Sequence, residues 1–114
     1  MTLPMTARTV VSALALAVLG AGASLAGPTS APDAAHGKAL AQRLCSNCHL
    51  VTSEQTHANA DVPSFREIAN RQGQTEGAIM GNIVIPKHPM PVIPITKSEL
   101  KDLAAYIRSL RDSE

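Results

Sequence analysis

The sequence predicts an all-α fold, and three observations carry that prediction. Two capping boxes, Ser64 with Glu67 and Thr96 with Glu99, mark helix starts. In each, the hydroxyl accepts a backbone N–H three residues on while the glutamate reaches back to the capping residue. The apolar residues Leu100, Leu103, Ala104, Ile107 and Leu110 then fall on one face of a 3.6-residue repeat. No run alternates with a period of two, so no strand pattern competes.

The elements follow in chain order. Residues 1–26 read as a secretory signal peptide. Arg8 is the only charge before Asp33, and an apolar run from Val10 to Leu19 is broken only by Ser12. Small residues follow, and the expected cut lies after Ala26, with Ala23 as the second choice. The run is shorter than the ~20 apolar residues that span a bilayer. No cysteine follows it for a lipid anchor, so no stable membrane anchor is expected after cleavage. Residues 27–32 read as a linker, and residues 33–114 as one domain. Asp33 caps a first helix that runs to about Leu44. Leu50 to Val62 is polar and irregular. Ser64 opens a short helix to about Asn70. A further helix is expected from Thr75 to Val84, weakened by Gly77 and Gly81. Pro86, Pro89, Pro91 and Pro94 then forbid regular structure. Thr96 opens the last helix, to about Arg111.

Cys45-Ser46-Asn47-Cys48-His49 is a C-x-x-C-H run and holds the only two cysteines in the chain. This is the attachment signature for c-type haem. Two thiols add across the haem vinyl groups, and the adjacent imidazole becomes the proximal iron ligand. Two other readings compete. A redox dithiol calls for a βαβ setting, which is not readable here. A zinc site could borrow His49, His57 or His88, but its usual second ligand pair is missing.

Composition asks for the same cofactor. Phe65 and Tyr106 are the only aromatic side chains, and so small a domain struggles to bury a sufficient core. A covalent haem acts as a staple with a large apolar surface. Net charge is near zero, with 10 Lys and Arg against 9 Asp and Glu. Nothing in that balance suggests nucleic acid or strong electrostatic steering.

These residues together resemble the class I c-type cytochromes, small all-helical electron carriers, over residues 33–111. The resemblance implies three to five helices wrapped around one covalently attached haem c, with the N- and C-terminal helices crossing. Gly37, eight residues before Cys45, matches the glycine that permits the crossing. Leu103 and Tyr106 match the family's leucine and aromatic on the last helix. Pro63 matches the proline whose carbonyl accepts the ring N–H of the proximal histidine. Met90, followed by Pro91, matches the distal methionine ligand. Two features depart from the family. Ala41 stands where a bulky aromatic is common, and the tryptophan that holds a haem propionate in longer members is absent. Arg66, Arg71, Gln72 and Asn82 are the candidates left for the propionates.

For the distal position Met90 competes with His88 and Met80. Flanking prolines restrict the backbone around Met90. Met80 falls inside an expected helix and reads as core filler. His36 and His57 read as solvated surface residues, and Lys87 as a surface charge. Thioether ligation favours reduced iron, and a six-coordinate iron has no vacancy for substrate. The reading is therefore a periplasmic carrier of single electrons rather than an enzyme. An upstream dehydrogenase and a downstream oxidase or reductase are its expected partners. One alternative is a permanent haem subunit of a periplasmic dehydrogenase complex. Another is a gas- or peroxide-reactive haem protein. The apolar run Ile83, Val84, Ile85 with Val92, Ile93 and Ile95 would serve haem packing or a partner surface, with haem packing preferred.

Overall fold

The computed structural model describes residue 2, residues 30–87 and residues 89–113. The expected signal peptide (Thr2 apart), residues 27–29 of the expected linker, and His88 lie outside the described residues. Four helices follow in order: α1 (Ala34–Leu44), α2 (Phe65–Asn70), α3 (Glu76–Val84) and α4 (Lys97–Ser109). No strand occurs among the described residues. None of their helices is long and apolar enough to cross a membrane.

Local chemistry sets where each helix begins. The Asp33 carboxylate accepts the N–H groups of Ala35 and His36. Ser64 and Thr96 each close a full capping box, with Glu67 and Glu99. Thr75 caps α3, so that helix begins at Glu76, one residue later than the sequence predicts. α4 ends at Ser109 rather than near Arg111. The cause is tertiary. The Arg111 guanidinium donates to the carbonyls of Ala69 at 3.0 Å and Gln74 at 2.7 Å. The Asp112 N–H donates to the Asn70 side chain at 3.0 Å, and the Asp112 carboxylate pairs with Arg66. These bonds draw the chain off the helical path.

α1 packs across α4, and α4 also touches α2 and α3. The crossing rests on Gly37. A Cβ there would lie 2.0 Å from the carbonyl oxygen of Asp102 and 2.9 Å from the Tyr106 Cβ. Only glycine lets the two backbones approach so closely. Leu40, Ala41, Leu103 and Ala104 are buried beside it. Ala41 is fully covered.

His36 is exposed, as the sequence predicts, but it has a partner. Its ring Nδ1 lies 2.8 Å from the Asp102 carboxylate, which also accepts the Asp33 N–H at 2.8 Å. His36 is thus tied across the crossing. His57 is exposed and bonds the Thr56 hydroxyl.

Candidate functional site

The C-x-x-C-H run continues the course of α1. Cys45 extends the buried stripe of Gly37, Leu40 and Ala41, and is itself 9% exposed. Its carbonyl then accepts the N–H groups of Cys48 at 3.2 Å and His49 at 2.9 Å. This tight turn brings the three reactive side chains to one wall. Cys45, Cys48 and His49 all line a cavity of about 580 Å³, within the ~300–1,000 Å³ of ligand and cofactor sites. Leu44, Val62, Phe65, Ile79, Ile83, Ile93, Leu103 and Ile107 make its walls chiefly apolar. Met90 lines the same cavity between Pro89 and Pro91.

His49 is held by its ring. Nδ1 lies 2.7 Å from the carbonyl oxygen of Pro63, and the ring tilts against Phe65 at a centroid distance of 5.4 Å. Since a carbonyl only accepts, Nδ1 carries the proton. Nε2 is then the atom with a free lone pair, the tautomer a metal requires.

The donor set fits a covalent haem. Two cysteines, one imidazole with its lone pair on Nε2, and one thioether share an apolar-walled cavity. The rival readings fit less well. Burial, reinforced by Cys48, pushes the Cys45 thiol up to about 11. That makes Cys45 a poor attacking thiol for a redox dithiol, which needs a lowered value there. Among the described residues, no group of three or more His, Cys, Asp and Glu side chains gathers to hold a metal.

Other candidates divide. Arg71 and Asn82 line the cavity, and Gln74 joins them unforeseen. Arg66 is occupied with Asp112, and neither it nor Gln72 reaches the cavity. Met80 packs against the core away from the cavity. Lys87 is exposed, as the sequence suggests, and also lines the cavity. The apolar run also splits. Ile83 and Ile93 line the cavity and Ile95 packs on the core, whereas Val84, Ile85 and Val92 are 53%, 78% and 76% exposed. Packing in the cavity therefore accounts for only part of that run.

Comparisons with known proteins agree with this geometry. The family described as Cytochrome c matches residues 34–111. The chain is 42% identical over 89 residues to a cytochrome c-552 from Bradyrhizobium diazoefficiens, a match covering 78% of this chain and 86% of that protein. No solved structure matches significantly.

Proposed function

The chain belongs to the cytochrome c family, and on that premise we propose that it is a periplasmic monohaem carrier passing single electrons between redox partner proteins. Its cofactor is one covalently bound haem c, as in that family. When bound, the haem supplies an iron that takes up and releases one electron. Cys45 and Cys48 would hold it through thioethers, His49 through Nε2, and Met90 through its sulfur.

The observation that carries this reading is the gathering of Cys45, Cys48, His49 and Met90 on one apolar-walled cavity, with the His49 ring tied to Pro63. The Pro63 carbonyl holds the imidazole in the ligating tautomer. Pro89 and Pro91 stiffen the segment that carries Met90. The apolar walls exclude water, which keeps reorganisation on electron transfer small. Export is the remaining part of the proposal, supported by the signal-like residues 1–26.

Paired substitutions test the ligand set. Met90→Ala should leave haem attached, lower the reduction potential, abolish the weak long-wavelength band of sulfur-to-iron ligation, and open the iron to carbon monoxide. His88→Ala should do none of these. The reverse pattern would assign His88 as the distal ligand, and ready carbon monoxide binding by the parent would favour a gas- or peroxide-reactive protein. N-terminal sequencing of the exported protein should begin near Gly27.

The exposure of Val84, Ile85 and Val92 favours a second reading, a permanent haem subunit of a periplasmic dehydrogenase complex. Size measurement of the native protein separates the two. A free carrier runs at the mass of one small chain.

A further inference from the structure

The polar loop between α1 and α2 contains a side chain that cavity and cofactor leave unexplained. Gln55 is partly buried there. Its Nε2 faces three backbone carbonyls at once: Ser46 at 2.9 Å, His49 at 2.8 Å and His57 at 2.7 Å. Its Oε1 accepts the Val51 N–H at 3.0 Å. A primary amide has two hydrogens to give, so three acceptors share them.

Those carbonyls have a reason to need it. α1 ends at Leu44, and beyond a helix end the carbonyls run out of intrahelical partners. Within the motif, the Cys45 carbonyl is taken by Cys48 and His49, and the Cys48 carbonyl by the Asn59 N–H at 3.0 Å. Among the described residues no backbone N–H outside the helices reaches the carbonyls of Ser46, His49 or His57. Gln55 supplies all three from one side chain. It thereby clamps the backbone on both sides of Cys48.

The consequence reaches the His49 ring. Two torsions join an imidazole to its backbone. The Pro63 carbonyl fixes the Nδ1 end of the ring and Phe65 flanks it, but the ring still pivots between them if the backbone that carries it shifts. Fixing the His49 carbonyl removes the pivot.

We propose that Gln55 is a positioning residue for His49, its amide setting the backbone from which the imidazole is aimed at the haem iron. The proposal rests on His49 being the proximal ligand.

The test uses the oxidised holoprotein. The orientation of an axial imidazole plane governs the hyperfine-shifted proton NMR signals of the ring and of the haem methyl groups. A merely structural role for Gln55 would not move them. Gln55→Ala should displace these signals. Gln55→Glu, of equal length, turns a carboxylate oxygen toward three carbonyls and should displace them further. Thr96→Ala, which removes the cap of α4, should leave them at the parent positions while lowering thermal stability. Parent-like signals in both Gln55 variants, or equal displacement in Thr96→Ala, would overturn the proposal.

A measurement on the parent alone covers the case in which the variants fail to fold. The Gln55 amide protons should exchange with solvent at least about tenfold more slowly than those of exposed Gln42, the protection expected of an amide hydrogen-bonded inside the fold. Equal rates would also overturn the proposal. A parent in which no hyperfine-shifted signal belongs to His49 would instead remove the ligand assignment first, and the proposal with it.

Discussion

Gly37 has little freedom to change. Gly37→Val would force a β-branched side chain into a gap where even a Cβ meets the Asp102 carbonyl at 2.0 Å. That oxygen is backbone and has no rotamer to yield. We expect a loss of about 3 kcal/mol, the upper end for overpacking, measured by denaturant unfolding. A loss below about 1 kcal/mol would mean that the helices adjust. Asp102, the neighbour that makes the crossing tight, also carries a pH dependence. The hydrogen bond from His36, and then the Asp33 N–H, hold its carboxyl below the usual carboxylate range. A lowered folded value means that its stabilisation is complete above the unfolded value and is lost as pH falls through the folded one. The melting temperature of the parent should therefore exceed that of Asp102→Asn at neutral pH, with the two converging in acid. The family resemblance pointed to Gly37, and the Pro63 carbonyl does lie beside the His49 ring. Sequence spacing did not point to the His36–Asp102 contact, because those residues are 66 apart and their meeting depends on the crossing itself. Nor did it single out Gln55, whose four partners are backbone atoms that carry no sequence signal.

At the scale of elements, helix starts and ends were both legible, apart from the start of α3, off by one residue, and the end of α4. All four caps, Asp33, Ser64, Thr75 and Thr96, act through a side-chain oxygen and a local N–H. Such contacts are written within four residues of chain. Thr96→Ala should lower stability by about 1 kcal/mol, checked by thermal unfolding, and shorten α4 without displacing its buried face. The end of α4 was misjudged because Arg111 and Asp112 answer to α2 and to the turn before α3. No periodicity within α4 announces that. The loop from Leu50 to Val62 was read correctly as irregular, but its purpose lay elsewhere. It supplies the polar groups that the end of α1 and the following motif lack. The Asn59 N–H and the Gln55 amide both serve that backbone. The Val51 carbonyl in turn accepts the buried Tyr106 hydroxyl, which fastens the loop to α4.

Across the whole molecule, the protein side chains do not fill the interior. The largest fully covered side chains are Leu40, Leu103 and Val51, and a cavity of about 580 Å³ lies among the helices. A domain this size has little apolar area to spare against its chain entropy. The haem is therefore a large part of the core. Cys45→Ala or Cys48→Ala should yield little stable holoprotein, and any haem-free chain should keep helical circular dichroism while losing a cooperative melt. Haem-stained denaturing gels and thermal scans check both halves. The need for such a staple was legible from composition, since two aromatic side chains cannot fill the space. Which residues would surround it was only partly legible, because α2, α3 and the proline-rich segment converge there from separate stretches of chain.

The crossing of α1 with α4 also has a consequence in time. The two helices that close the fold lie at opposite ends of the domain, so the first made waits for the last. At the ~5–20 residues per second of synthesis, the 52 residues between Leu44 and Lys97 impose a delay of several seconds. During that interval α1 has no mate, and the cysteines just beyond it are not yet enclosed. The crossing cannot close until the end of the domain is present, and the attachment motif stays reachable for as long as α4 is missing.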